Sequence, residues 1–347
     1  MKKIRVAQLI AQRCIELREA TCPDPMSGEV RIRPEYVGVC GSDVHFFEHG
    51  RIGQCVVRYP FILGHECAGI VTAVGPNVTN LAVGDRVTIE PGIACHSCRF
   101  CRDGRYNLCP QVKFLSTPPY DGVLREEFNH PATLTYRLPK NVSTQAGALI
   151  EPLAVGLYAV KRAELRPGAN VAILGGGCIG LVTLLACISA GAKSVVVSDL
   201  YESRLETAKE LGATAVFCPN VDNPTEQLLR LSPNSRGFDT VFETAGSRVT
   251  AAQTSELVGR GGKIIAVGNV LGEVPFSFRD LYLKEAEVRA VFRYCNVFEE
   301  AIWQLSSGRI CVDKLVSDLF PFEEAQKAFE RAAGDKANVI KAVIQMK

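Results

Sequence analysis

Long apolar runs are missing from this 347-residue sequence. The most apolar stretch, around 178–190, falls short of the roughly 20 residues that a bilayer-crossing helix needs, so no membrane span is expected. Clustered positive charge is missing too. No basic run exceeds two residues, as in Lys2-Lys3 or Lys161-Arg162, and the net charge is only +2. That balance argues against the electrostatic footprint of a nucleic-acid binder. The opening MKKIRVAQLIAQR starts basic, but its short apolar stretch is interrupted by Gln8, Gln12 and Arg13. It reads as a first strand rather than a targeting segment. Repeats of roughly 20–50 residues and low-complexity segments are also absent. What remains is 47% hydrophobic and 22% charged, the profile of a soluble, cytoplasmic globular chain long enough for two domains.

Cysteine is plentiful, with 14 in the chain. In a large chain without a signal segment, reduced thiols and metal sites are a better reading than a disulfide framework. Dispersed cysteines such as Cys187 and Cys218 read as buried small hydrophobes.

The first ~150 residues read as strands with glycine turns: EVRIRPEYVGV (29–39), AGIVTAVG (68–75) and GDRVTIEPG (84–92). From Ser143 and Thr144, possible caps, STQAGALIEPLAVGLYAV continues as an apolar helical pattern despite Pro152. Strands and helices then alternate. Strands fall at NVAIL (170–174), SVVVSD (194–199), AVF (215–217), DTVFET (239–244) and KIIAVG (263–268), with helices over about 178–190 and 202–211. This alternation predicts an α/β domain, a parallel sheet covered by helices on both faces.

ILGGGCIG (173–180) places Gly175-x-Gly177-x-x-Gly180, with Cys178 and Ile179 between, directly after a strand and at a helix start. In that context the three glycines serve a tight turn, close approach of backbone to pyrophosphate, and close helix–strand packing. The helix N-terminus adds free N–H groups and a positive dipole end. Asp199 ends the next strand, nineteen residues beyond Gly180, where a carboxylate accepts from ribose hydroxyls and repels a 2′-phosphate. NAD is therefore expected over NADP. Arg204 could hold that phosphate, or be a solvated residue in the first turn of a helix.

CHSCRFCRDGRYNLC supplies Cys95, Cys98, Cys101 and Cys109, which can close tetrahedrally on one zinc and leave no position for substrate. Arg99, Arg102 and Arg105 lie near enough in sequence to offset the −2 charge of such a site. An iron–sulfur cluster is the rival, adding an electron carrier that nothing else calls for. His96 reads as a surface residue.

A second set comes from two segments, GVCGSDVHFFEHG (38–50) and LGHEC (63–67). Cys40, His65 and Glu66 offer thiolate, imidazole and carboxylate, three ligands with a fourth position open, as in catalytic zinc. Neighbouring side chains of an extended chain point opposite ways, so His65 and Glu66 can share an ion only if the backbone bends, which Gly64 favours. Cys67 then points away as a core thiol.

With VGVCGSDVHFFEHGRIG, ILGHECAG, GRYNLCP, GALIEPLAVG, FETAG and VFRYCN in this order, the chain resembles the zinc-containing medium-chain dehydrogenases, most closely the polyol (sorbitol/xylitol) dehydrogenases. The resemblance implies a GroES-like, mainly β catalytic domain of 1–154 and 290–347, interrupted by a doubly wound Rossmann domain at 155–289. The C-terminal VIKAVIQM would return to the catalytic domain. It also implies two zinc ions per chain, one catalytic and one structural, and oxidation of a polyol's secondary hydroxyl with NAD as hydride acceptor. By the same resemblance Cys40, His65 and Glu66 bind the catalytic zinc. Glu151 holds its water or coordinates directly. Ser42 and His45 match proton-relay positions, Asp43 orients His65, and Arg293 reaches polyol hydroxyls while Tyr294 packs. Zinc with one thiolate, one neutral imidazole and one carboxylate sums to zero charge, as with two thiolates and an imidazole. Phe46 departs from the tyrosine of many sorbitol dehydrogenases, which points to a shorter or differently configured polyol. A homo-oligomer, tetrameric in many relatives, is implied by analogy. Sibling enzymes for threonine, butanediol or a sugar phosphate, and a non-catalytic zinc scaffold, are the alternatives.

Overall fold

The computed structural model describes residues 2–346 and divides into two units. One holds the residues up to Glu151 together with those from Phe298 onward; the other is Pro152–Val297. These bounds differ by a few residues from the 154/155 and 289/290 expected from sequence, and the second difference has a clear reason. Strand Glu287–Ala290 hydrogen-bonds in parallel to Val258–Ala266, so it belongs to the nucleotide-type sheet and carries that unit on to Val297.

The first unit is mainly β. Strand Lys2–Ala11 pairs antiparallel with Cys14–Cys22, the turn between them placing Arg13 at φ 60. The larger sheet has seven strands and is built around Glu29–Gly38, which pairs with Glu66–Val74 on one side and Lys341–Gln345 on the other. Two register shifts, between Arg31 and Ile32 and between Pro34 and Tyr36, explain the imperfect alternation of this segment. Val30, Ile32 and Val37 meet Cys67, Val71, Val87 and Ile89 in a core from which water is excluded. Burial of each such side chain stabilises by about 1.5–3 kcal/mol. The C-terminal strand does return to this unit, opposing Val343 to Gly38 and Ile344 to Val37.

The helical pattern from 143 splits in two, Thr144–Ala148 and Ile150–Ala163, with the Ser143 side chain accepting from the Ala146 N–H at 3.0 Å. Pro152 sits in the first turn of the second helix, where its missing N–H has no partner to lose.

In the second unit six parallel strands run in the order Ala215–Phe217, Ser194–Ser198, Asn170–Leu174, Phe238–Glu243, Val258–Ala266, Glu287–Ala290. The chain order reverses at Asn170–Leu174, the switch point at which doubly wound sheets bind nucleotides beyond the strand's carboxyl end. The glycine turn follows that strand directly. Cys187 is buried as expected, but Cys218 is only half-buried, its thiol directed at the Leu200 carbonyl. That residue follows the strand at the sheet's margin and has too little around it to enclose the side chain. Among the described residues no helix is long and apolar enough to cross a membrane.

Candidate active site

The four sulfurs of Cys95, Cys98, Cys101 and Cys109 come within 4.8 Å of one another, a set that could hold one metal ion. A hydrogen bond from the Ser97 hydroxyl, backed by the Ser97 and Cys98 N–H groups, lowers the Cys95 thiol to about 5. Burial and the neighbouring thiols push Cys101 up to about 12. The lobe is tied to the sheet through buried Glu90, which accepts from Tyr106 at 2.7 Å and from Tyr136 at 3.0 Å. His96 is exposed, as expected of a surface residue. Four sulfur donors on one ion would fill its coordination and leave no position for a substrate.

Cys40, His65 and Glu66 form the second set, also within 4.8 Å. Cys40 immediately precedes helix Gly41–His49, and its sulfur accepts from the Ser42 hydroxyl at 3.3 Å. Gly64 adopts φ +93, and strand Glu66–Val74 begins only after His65. The alternation of an extended chain therefore starts at Glu66, and this is what lets the two neighbours offer donors to the same point. Cys67 turns into the core, where burial raises its pKa far above the ordinary thiol value.

The imidazole is oriented from behind. His65 Nδ1 lies 3.3 Å from Oδ2 of Asp43, a fully buried carboxylate in the first helical turn, and this leaves Nε2 for a metal. Oδ1 of Asp43 accepts from the Ser116 hydroxyl, whose oxygen in turn accepts from the Gly64 N–H at 2.9 Å. Burial disfavours the His65 cation, but Asp43 and then Cys40 outweigh it and hold the pKa well above its ordinary value. A buried donor set this rich in negative charge suits a divalent cation.

Other expected residues fall elsewhere. Glu151 is buried at the start of helix Ile150–Ala163, outside the group of donors that lie within 4.8 Å of one another. His45 is half-buried with its ring 4.5 Å from that of His49; burial, then His49, lowers its pKa. Phe46 is 2% exposed within the core cluster. Arg293 belongs to the second unit, has φ 54, and lays its guanidinium over Phe292.

In the second unit Gly175 has φ +114, and Gly177 precedes helix Cys178–Ser189, which exposes its first N–H groups. A methyl group at Gly180 would stand 1.8 Å from the Gly175 oxygen, so only glycine fits there. Asp199 Oδ2 accepts from the Gly176 N–H at 2.7 Å, tying the acidic residue to the glycine turn. Arg204 is half-buried rather than freely solvated: its Nη1 lies 3.5 Å from the same oxygen and its guanidinium covers Tyr201.

Sequence reasoning missed Ser116 and Lys341. Lys341 donates to both oxygens of Glu66, at 2.7 and 2.8 Å. Neither sits in a recognisable motif, since both reach the site through strand pairing or a distant loop.

A sulfur–nitrogen–oxygen donor triad in a mainly β unit, with a glycine-turn parallel sheet in the other, defines a metal-dependent, nucleotide-linked dehydrogenase. The profile described as alcohol dehydrogenase GroES-like domain matches residues 26–140, and that of the zinc-binding dehydrogenases matches 178–307. Sorbitol dehydrogenase of Bacillus subtilis is 39% identical, the alignment covering 99% of this chain and 97% of that protein. Among solved structures, an oxidoreductase/dehydrogenase of unknown specificity from Escherichia coli superposes with a TM-score of 0.96, at 42% identity and over 100% of both chains. A zinc-binding dehydrogenase from Sinorhizobium meliloti, solved with NADP, gives 0.92 at 29% identity, again over 100% of both. The chain belongs to the zinc-containing medium-chain dehydrogenases, in their polyol dehydrogenase family, and is an oxidoreductase.

Gly180→Ala is expected to abolish NADH binding, read by fluorescence titration, while elemental analysis finds the zinc content unchanged.

Proposed function

We propose that this enzyme oxidises a secondary hydroxyl of a sorbitol- or xylitol-like polyol to the ketose, with NAD as hydride acceptor. The observation that carries the reading is the Cys40–His65–Glu66 set within 4.8 Å, backed by Asp43 on His65. Zinc held there supplies Lewis acidity that lowers the pKa of the substrate hydroxyl. Asp43 keeps the His65 ring turned so that one nitrogen faces the metal. Ser42 and His45 lie in the helix that follows Cys40 and are suited to carry the released proton; Glu151 is the other candidate, holding a water in place. The lowered pKa of His45 keeps it neutral near pH 7, ready to accept. Arg293 is assigned to the polyol hydroxyls. The glycine turn and the free N–H groups of helix Cys178–Ser189 hold the pyrophosphate, and Asp199 the adenosine ribose. The four-cysteine lobe carries a second, structural zinc. Phe46 offers no hydroxyl, which favours a polyol other than sorbitol itself. A dehydrogenase for another secondary alcohol, such as threonine, butanediol or a sugar phosphate, is the second reading.

A cytoplasmic setting suits fourteen free thiols and two cysteine-bearing metal sites. A homo-oligomer is supported by the second unit, where Val288 lies half exposed on the edge strand Glu287–Ala290. Phe278 and Tyr282, more than 80% exposed, stand out on the helix before it. We assign this face to a second copy of the chain.

A panel of polyols and other secondary alcohols, read by NADH absorbance, decides the substrate; reduction of NAD by none of them leaves only a scaffold. Cys40→Ser and His65→Ala are expected to lower turnover more than ~100-fold with NAD still bound. Near-native rates in either would refute the metal assignment. Asp199→Ala is expected to shift the kcat/KM ratio toward NADP roughly tenfold or more, because like-charge contacts cost several kcal/mol. An unchanged ratio would move the discrimination to Arg204. Val288→Lys is expected to reduce the assembly size seen by light scattering, and a monomeric unaltered protein would dismiss the oligomer.

A further inference from the structure

Lys341 is 4% exposed and Glu66 1%. The lysine nitrogen is almost equidistant from the two carboxylate oxygens, 2.7 and 2.8 Å, and donates also to the Val39 carbonyl at 3.2 Å. An ammonium so placed fills the cleft between the oxygens, where a metal must sit to be chelated by both of them. A carboxylate has about four acceptor sites, so the outer ones stay available.

The backbone explains how the lysine gets there. Gly38 lies opposite Glu66 on one neighbouring strand and Val343 on the other, and a methyl group at Gly38 would stand 2.0 Å from Oε2 of Glu66. The missing side chain leaves the space beside the central strand that the Glu66 carboxylate fills, and Lys341, from the strand on the other side, meets the carboxylate there.

We infer that Lys341 is a positioning residue that confines Glu66 to one-oxygen ligation and so keeps a coordination position open for the substrate hydroxyl. This rests on the metal reading of Cys40, His65 and Glu66. Two-oxygen ligation would take from the buried ammonium the carboxylate that balances its charge, which a low-dielectric interior strongly disfavours. Without the lysine, Glu66 is free to close on the ion with both oxygens and raise its coordination number.

The probe is Co2+, loaded at the Cys40 site of protein whose cysteine lobe retains zinc, with metal content checked by elemental analysis. The unaltered protein should show a thiolate-to-cobalt charge-transfer band and the strong d–d absorption of a four-coordinate ion. Lys341→Met should weaken the d–d bands to a five-coordinate pattern and slow cobalt loss to EDTA, because a second oxygen then holds the ion. Loss of mere structural support would speed that release instead. Lys341→Arg, whose planar fork fills the same cleft, should restore the four-coordinate spectrum. Lys341→Gln, able to hold one oxygen only, should behave as the methionine variant and replaces it if that chain does not fold. Bands unchanged in Lys341→Met or Lys341→Gln, or faster cobalt release, would overturn the proposal. Absence of the charge-transfer band from the unaltered protein would instead overturn the metal reading beneath it.

Discussion

Negative charge gathered where water cannot reach it is the constraint around which the first unit is organised. Glu66 and Asp43 are buried almost completely, beside a cysteine whose useful form is the thiolate. A buried carboxylate without a partner is costly, and each here is answered by its own neighbours. Glu66 has Lys341. Asp43 has Ser116 and lies against His65. The sulfur, a ring nitrogen and the carboxylate lie together as a set that could hold a divalent cation.

This arrangement separates holding the ligands from using the metal. Strand pairing fixes Glu66 against Gly38, the turn at Gly64 brings His65 round, and the hydrogen bond from Gly64 to Ser116 locks that turn to the Asp43 that orients the ring. The donors are thus placed by backbone pairing and buried polar contacts, and side chains fixed in this way have little ordering cost to bear on binding an ion. The cysteine lobe contrasts with this. Its donors lie within fifteen residues of sequence on short turns, and its attachment to the sheet runs through Glu90 and two tyrosines.

In the second unit, Asp199 is fastened to the Gly176 N–H and lies beside Arg204. A carboxylate engaged in this way presents less free charge to a ribose than a solvated one, and the arginine beside it lowers the barrier to a phosphate. On the proposed reading, choice between the two nicotinamide cofactors would depend on how these two side chains share the space above the glycine turn.

Period and spacing made much of this protein legible. Strand NVAIL and the helix after it follow from an apolar run ending at glycines, and the four-cysteine lobe from ligands close in sequence. The Cys40, His65 and Glu66 donors could be named because their residue types are rare together, although how two sequence neighbours face one ion needed the φ of Gly64. Other features were beyond sequence reading: the assignment of strand Glu287–Ala290 to the parallel sheet, and the contacts made by Ser116 and Lys341. Lys341 lies 275 residues from Glu66, and only the pairing of their strands on either side of Gly38 puts charge beside charge. Local chemistry thus determined which atoms can bind a metal or a nucleotide. Tertiary structure decided how each is charged, oriented and confined, because those properties come from neighbours that the fold brings together and the chain order does not.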